Sequence, residues 1–317
     1  ELGGRAAKAV LEAEPVEHVA FGPPAAPRVV EQATQVAQVL GEAGVGAPVL
    51  ALVLEPVQVI LQAQAPEVDA GATALGARIR SVFGIDPRWG ILLGNGSDEI
   101  IQMLVAGVSG PGCCVLAPAP SFVMFRLISQ WLNVRFEEVT LRPDFQLDVP
   151  AMLAAIGRQR PRLIFLACPN NPTGNLFDEA SLRAVLEAAD ALVVIDEAYL
   201  AFASRDHTAL LAEYPNLLIM RTLSKLGLAG LRLGCLAGRP EWTQELEKVR
   251  LPYNVNVLTQ LVAEKVLSHA AALAEQAQAI VAERARLAAS LAETRGVTVF
   301  PSDANFILFR VPRAKQV

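Results

Sequence analysis

From about residue 91 onward, short apolar runs alternate with segments of helical spacing, and this alternation constrains the possible fold more than any other feature. It is typical of an α/β fold with a largely parallel sheet. The predicted strands cover residues 113–117, 134–139, 162–167, 191–195, 216–220 and 233–237, and the predicted helices cover 97–108, 149–157, 178–189 and 241–249. Ligands of such sheets bind at the carboxyl ends of the strands, so the residues after each run are the candidates for a functional site.

Changes in residue pattern along the chain predict three regions. Residues 71–250 carry the alternation and are assigned to a large domain. Residues 251–317 are assigned to a smaller α/β domain with a long helix over 257–294 and strands at 297–300 and 305–311. This domain is expected to be incomplete, because the chain stops directly after an apolar run. Residues 1–70 are assigned to the small domain, with conceivable helices at 28–40 and 50–63, although Pro56 would interrupt the second.

Composition excludes several classes of function. The formal net charge of −5 and the pI near 5.4 provide no basic surface for nucleic acid or for an anionic membrane. The apolar stretch at 47–60 is too short to span a bilayer. The four cysteines lie in apolar runs without metal-ligand spacing, which indicates buried thiols in a reducing compartment, and we expect a cytoplasmic protein. None of the three histidines stands beside a candidate nucleophile or metal ligand, so triads and metal sites are poorly supported.

The strongest local signal is RTLSK at 221–225, directly after a predicted strand. In an apolar setting desolvation favours the uncharged amine of Lys225, which could then attack an aldehyde and form a Schiff base. Ser224 and Arg232 supply a hydroxyl and a guanidinium suited to a phosphate. An isolated Ser-Lys pair is more often an exposed lysine, so this motif alone is weak.

A second signal is VVIDEAY at 193–199, where an apolar strand ends in a carboxylate. A buried Asp196 needs a cation or hydrogen-bond donors, and a protonated pyridine nitrogen would be such a cation. Tyr199 could reach a hydroxyl group on such a pyridine ring from the same loop. The alternative that Asp196 caps a helix or binds a metal is equally compatible with this segment.

Two further segments follow predicted strands. In CPNNPTG at 168–174, two prolines and a glycine shape a turn that would hold the Asn171 amide as a donor to a phenolic oxygen of such a pyridine ring. In PSFVMF at 120–125, Phe122 could present a flat surface to an aromatic ring, although core packing explains a lone phenylalanine better.

The segment GNGSDE at 94–99 is a glycine turn that opens a helix and suits a phosphate. Ser97 and main-chain amides would bind the phosphate, and the side chains of Asp98 and Glu99 are expected to point away. As a dinucleotide-binding fingerprint the segment fails, because Glu99 occupies the third glycine position.

Taken in order, GNGSDE, PSFVMF, CPNNPTG, VVIDEAY, RTLSKLGLAGLRLG and the following LPYN resemble the histidinol-phosphate aminotransferase family of fold type I pyridoxal-phosphate enzymes, over about residues 75–310. The resemblance implies a pyridoxal 5'-phosphate cofactor bound covalently by Lys225 and a homodimer whose sites borrow residues from the partner. It implies transfer of an amino group between L-histidinol phosphate and 2-oxoglutarate, in histidine biosynthesis. The implied cofactor-binding residues are Ser97, Asp98, Phe122, Asn171, Asp196, Tyr199, Ser224, Lys225 and Arg232, of which Lys225, Asp196 and Tyr199 are the predicted catalytic residues.

The sequence departs from the family pattern in three places. The family's N-terminal Asp-Ala-Asn-Glu-Asn-Pro type segment is not found. Glu67 stands where the family has a tyrosine that reaches the partner's cofactor phosphate, and a carboxylate there would repel that phosphate unless it points elsewhere. The family's C-terminal, carboxylate-gripping arginine would lie beyond Val317. Transamination of aromatic amino acids, decarboxylation of threonine phosphate and a non-catalytic cofactor-binding role therefore remain alternatives.

Overall fold

The computed structural model describes residues 69–312, which belong to one compact unit of the chain, Val68–Val317. The helices are α1 (Thr73–Phe83), α2 (Gly96–Val108), α3 (Met124–Trp131), α4 (Val149–Gln159), α5 (Glu179–Ala188), α6 (Pro240–Glu247), α7 (Val257–Leu267) and α8 (Ala270–Ala292). The strands are β1 (Gly90–Gly94), β2 (Cys114–Ala119), β3 (Arg135–Thr140), β4 (Leu163–Ala167), β5 (Leu192–Asp196), β6 (Leu217–Thr222), β7 (Gly234–Gly238), β8 (Thr298–Val299) and β9 (Phe309–Arg310). The predicted helices at 28–40 and 50–63, and Glu67, lie outside the described residues.

Seven strands form a central sheet in the order β1-β7-β6-β5-β4-β2-β3. The pairs β3·β2, β2·β4, β4·β5 and β5·β6 are parallel, whereas β7 runs antiparallel to both β6 and β1. The predicted α/β fold with a largely parallel sheet is therefore confirmed. Strands β8 and β9 pair separately as a short antiparallel ribbon.

The central strands are apolar except at the carboxyl ends of β5 and β6, because helices cover both faces of the sheet. Every residue of β4 and β6 is buried, as expected for a parallel sheet packed on both sides. Successive residues of β5 enter opposite cores: Val193 and Ile195 pack on one face and Val194 on the other. The register pairs Ala167 with Asp196 and Asp196 with Met220, so the carboxyl ends of three strands lie side by side.

The strand and helix positions predicted between residues 97 and 249 agree with the observed elements to within one or two residues, but the sequence patterns did not reveal α1, β1 or α3. The single helix predicted over 257–294 is wrong, because α7 ends at Leu267 and α8 begins at Ala270. His269, with φ −105° and ψ 31°, takes the chain out of the helical conformation between them. Hydropathy spacing continues across this break and does not detect it.

The strand predicted over 305–311 is also wrong for most of its length, since only Phe309–Arg310 pairs with β8. The Ser302 hydroxyl bonds the Phe306 carbonyl, and the Ala304 N–H bonds the Ser302 hydroxyl, so the chain turns where an extended strand was expected. No helix between residues 69 and 312 is both long enough and apolar enough to cross a membrane.

Candidate active site

A pocket lies at the carboxyl ends of β4, β5 and β6, beside the N-terminus of α2. It encloses about 680 Å³ of empty space, including its open mouth. All nine residues expected to bind a cofactor line it: Ser97, Asp98, Phe122, Asn171, Asp196, Tyr199, Ser224, Lys225 and Arg232. Residues separated by up to 135 positions in the chain therefore meet in one cavity, since each lies at a strand end, in a loop that joins two strands or at the start of a helix.

Asp196 ends β5 at the floor of this pocket with only 4% of its surface exposed. One carboxylate oxygen accepts the Ala198 N–H at 3.0 Å. Burial raises the pKa of Asp196 to about 7, against the lowering effects of the Ala198 N–H and of Lys225. A ligand cation placed at this carboxylate would stabilise its charged form, so the site is suited to a protonated ring nitrogen.

Lys225 lies in a 3₁₀ turn, Ser224–Leu226, three residues after β6. The turn is closed by Gly227 at φ 82°, a conformation that favours glycine. The side chain is half-buried, and its Nζ lies 5.3 Å from the centroid of the Tyr199 ring. The amine thus shares the pocket with Asp196, which lies on the neighbouring strand.

A cradle for an anion forms where α2 begins. Gly96 has φ 75°, and a Cβ added there would lie 2.8 Å from Nη2 of Arg232. A Cβ on Gly234, at the start of β7, would lie 2.8 Å from the Gly96 carbonyl carbon. Both glycines therefore allow the backbone and Arg232 to close around the helix N-terminus, whose free N–H groups and dipole favour a phosphate.

Two hydroxyls and one ion pair complete this cradle. The Thr222 hydroxyl lies 3.0 Å from that of Ser224. Arg232 is paired with Asp98 through an Nη2–Oδ2 distance of 3.2 Å. The expectation that Asp98 points away is wrong, because its carboxylate is the partner of the exposed guanidinium. Glu99 does point away, and accepts the Asn95 N–H at 2.7 Å.

The loops after β4 and β2 are joined behind the pocket by Asn170. Its amide donates to the Pro120 carbonyl at 3.0 Å, and its oxygen accepts the Ser121 hydroxyl at 2.9 Å. The neighbouring Asn171 amide lies 3.4 Å from the Tyr199 hydroxyl. Both groups can therefore face one oxygen of a flat ligand.

Phe122 forms part of the pocket wall and packs edge-on against Phe125, with ring centroids 5.5 Å apart. Phe125 in turn stacks on Phe165 at 4.4 Å. This buried aromatic column holds the Phe122 ring in place at the cavity surface, where it can contact a flat ring.

Three contributors to the site were not singled out from the sequence, although each lies inside a quoted motif. Thr222 belongs to RTLSK, Asn170 to CPNNPTG and Asn254 to LPYN. The Asn254 amide donates to Glu99 at 2.7 Å and so ties the segment after α6 to the anion cradle. For Asn170 and Asn254 the available signal was an asparagine near a proline turn, but the partners of these side chains lie far away in the chain.

The family model of aminotransferase class I and II matches residues 69–317. The chain belongs to this family. Family members depend on pyridoxal phosphate, so the chain is a pyridoxal-phosphate-dependent aminotransferase, and the cofactor expected from the resemblance is confirmed. The combination of a lysine, a buried carboxylate and a phosphate cradle in one pocket fits that cofactor.

Individual relatives of this chain carry a more specific name than the family as a whole. The chain is 52% identical over 244 residues to histidinol-phosphate aminotransferase 2 of Nitrosococcus oceani, covering 77% of this chain and 68% of the relative. It is 52% identical over 248 residues, with the same coverage, to histidinol-phosphate aminotransferase 2 of Cupriavidus pinatubonensis. Both relatives carry the name of the family that the motifs resemble.

Solved aminotransferase structures share the fold. The histidinol-phosphate aminotransferase of Sinorhizobium meliloti, solved in complex with pyridoxal-5'-phosphate, has a TM-score of 0.71 and 27% identity, covering 81% of this chain and 71% of that one. The enzyme of the same name from Clostridium acetobutylicum has a TM-score of 0.73 at 22% identity, covering 83% and 79%, and supports the fold alone. The predicted fold type I architecture is therefore confirmed.

Proposed function

We propose that this aminotransferase moves an amino group between L-histidinol phosphate and 2-oxoglutarate. The proposal depends on one observation: Asp196 and Lys225 face one pocket beside an anion cradle, in a chain 52% identical to enzymes named for histidinol phosphate. The resemblance of the motif set to the same family supports the choice of 2-oxoglutarate as the acceptor.

Pyridoxal phosphate, when bound, supplies an aldehyde that condenses with amines and a ring that withdraws electrons from the condensed carbon. Asp196 would keep the ring nitrogen protonated from the floor of the pocket. Asn171 and Tyr199 would donate to the ring oxygen, and Phe122 would lie against the ring. Ser97, the Asp98 N–H, Ser224 and Arg232 would bind the phosphate, with Arg232 exchanging its Asp98 partner for the stronger anion.

Lys225 would have two tasks in this pocket. Its amine would hold the cofactor aldehyde. The same amine, when free, would move a proton between the substrate carbon and the cofactor carbon. Nζ lies 5.3 Å from the centroid of the Tyr199 ring in the wall of the pocket, which supports both tasks.

We also propose that the enzyme is a cytoplasmic homodimer with its second, smaller domain after residue 250. The buried, unpaired thiols of Cys113, Cys114, Cys168 and Cys235 support a reducing compartment. Large apolar side chains exposed on the described unit, such as Trp131 at 68% and Leu251 at 73%, are compatible with a subunit interface.

The test uses the full-length protein loaded with pyridoxal phosphate. Histidinol phosphate added without an acceptor should bleach the visible cofactor band in one turnover, and 2-oxoglutarate should restore it with formation of glutamate. Lys225→Ala should lack the band of the lysine-bound cofactor, whereas Lys248→Ala, an exposed lysine paired with Glu245, should behave as the unaltered chain.

A screen of amino donors distinguishes the alternatives. Bleaching by phenylalanine or tyrosine but not by histidinol phosphate would replace the proposed substrate with an aromatic amino acid. Release of carbon dioxide from threonine phosphate would assign a decarboxylase. A bound cofactor that no amine bleaches would identify a non-catalytic binding protein.

A further inference from the structure

Behind the pocket, on the opposite face of the sheet, three ionisable side chains are completely enclosed. Glu197, His207 and Arg221 are each no more than 2% exposed. Arg221 lies opposite Cys235, which packs in one core, whereas Asp196 lies opposite Met220, which packs in the other. The cluster and the pocket thus share the ends of β5 and β6 but occupy different faces.

Glu197 accepts hydrogen bonds on both carboxylate oxygens. Oε1 accepts the His207 main-chain N–H at 2.7 Å and lies 2.9 Å from His207 Nδ1. Because a carboxylate oxygen can only accept, Nδ1 carries the proton in this contact. Oε2 accepts the Arg221 Nε–H at 2.8 Å, and Nη2 of Arg221 lies 2.7 Å from the same oxygen.

Arg221 extends this network to two more segments. Nη1 donates to the Phe83 carbonyl at the end of α1 at 2.7 Å, and Nη2 donates to the Thr208 hydroxyl at 2.5 Å. One guanidinium therefore connects the ends of β5 and β6, the 206–208 loop and the C-terminus of α1. Asp206, half-exposed, faces it at 3.8 Å.

The cluster adjoins the two residues on which the proposed function depends. Glu197 directly follows Asp196, and Arg221 stands four residues before Lys225. A shift at either strand end would therefore move the carboxylate relative to the amine. Displacements of about 1 Å can lower rates by about two orders of magnitude, so holding these ends has a chemical consequence.

We propose that Glu197, Arg221 and His207 are positioning residues, which fix Asp196 relative to Lys225 from the far side of the sheet. This inference rests on the proposed function, because it assigns the cluster a task only if those two groups hold the cofactor. None of the three touches the pocket, so they act through the strand ends.

If the cluster only stabilised the fold, a different experimental result would be expected. Replacement of a buried ion pair by uncharged side chains of similar volume is often neutral or stabilising, whereas removing one partner leaves an uncompensated charge. The informative variant is therefore the double change Glu197→Gln with Arg221→Met, which removes both charges together. Arg183→Gln with Glu213→Gln, which removes an exposed pair outside the pocket, is the matched control.

Three measurements on the full chain test the proposal: the melting temperature, the dissociation constant of pyridoxal phosphate, and the circular dichroism of the bound cofactor's visible band. The double variant should melt cooperatively, bind cofactor about tenfold more weakly and lose part of the dichroic band. With histidinol phosphate its kcat should fall more than its KM changes. The control pair should leave all of these values unchanged.

A folded double variant with unchanged cofactor affinity and dichroism would overturn the inference and leave the proposed function standing. If the double variant does not fold, Arg221→Lys decides, since it keeps the charge beside Glu197 but cannot span Phe83 and Thr208 together. Several-fold weaker cofactor binding then supports the inference, and unchanged binding overturns it. An unaltered chain that binds no pyridoxal phosphate would overturn the proposed function and the inference together.

Discussion

The two faces of the sheet at the ends of β5 and β6 both carry charged side chains, and they differ in how fully those charges are paired. On the far face, both oxygens of Glu197 and three nitrogens of Arg221 have partners within 3.0 Å. On the pocket face, Asp196 accepts one main-chain N–H, and the amine of Lys225 makes no ion pair within residues 69–312.

Fully paired charges stabilise the fold, whereas incompletely paired charges can bind a charged ligand. A buried charge is costly unless a partner compensates it, and on the far face the protein itself provides every partner. On the pocket face the compensation is incomplete, as the raised pKa of Asp196 indicates. Incomplete pairing at the floor of a cavity is what a site for a charged ligand requires.

The largest effect should follow the loss of the pocket amine. Lys225→Ala is expected to lower the rate of amino transfer by about 10⁴-fold, because both attachment of the cofactor and proton transfer depend on it. The free energy of unfolding should change little, since this side chain is only half-buried. Steady-state kinetics and urea unfolding measure the two quantities. Substantial turnover by the variant would contradict the assignment of the reacting amine to the pocket face.

The far face should respond in the opposite way. Arg221→Ala is expected to lower the free energy of unfolding by about 3–5 kcal/mol, because it leaves the Glu197 carboxylate buried without its cation. Urea unfolding of the cofactor-free chain measures this change. A loss as small as that of Lys225→Ala would show that the two faces do not differ as described.

On the pocket face, Asp196 should make the free energy of unfolding depend on pH. The folded chain binds a proton on Asp196 more tightly than the unfolded chain, since burial raises the pKa from 3.8 to about 7. In the cofactor-free protein this tighter proton binding adds a few kcal/mol to the free energy of unfolding below about pH 4. The added stability is lost as the pH rises to about 7. Asp196→Asn should remove this loss and be the more stable protein above pH 7.

Unfolding curves at a series of pH values, without cofactor, test this expectation. Asp144→Asn, which changes an exposed carboxylate paired with Arg142, serves as the control and should follow the unaltered chain. Parallel pH curves for the Asp196 variant and the unaltered chain would contradict the assignment of a poorly compensated charge to the pocket.

The smallest effects belong to the anion cradle. Arg232→Gln should weaken binding of pyridoxal phosphate about tenfold, because a charge-assisted hydrogen bond is lost, and Ser224→Ala about threefold, because a neutral hydroxyl contributes less. Equilibrium titration by absorbance measures both constants. Equal effects, or a larger effect of the serine, would show that the phosphate does not lie against the guanidinium.

Most strands and helices of the central sheet region could be predicted because their cause is local. The strands β4, β5 and β6 are continuous apolar runs that end in polar turns, and the same ends place Asn171, Asp196 and Lys225 in one cavity. The helix α3 was not predicted, because PSFVMF, the segment in which it begins, is also compatible with a stacking surface at Phe122. The break between α7 and α8 escaped prediction because apolar residues recur at helical spacing on both sides of it.

The sequence by itself determined the order of strands and helices and the chemical kind of each group that follows a strand, because apolar periodicity and turn residues act over a few positions. Only the tertiary structure decided the pairing: that Asp98 meets Arg232, and that Glu197 and Arg221 meet behind the pocket. The physical reason is that alternate residues of a strand face opposite sides, so neighbours in sequence such as Asp196 and Glu197 acquire different surroundings once the sheet is packed.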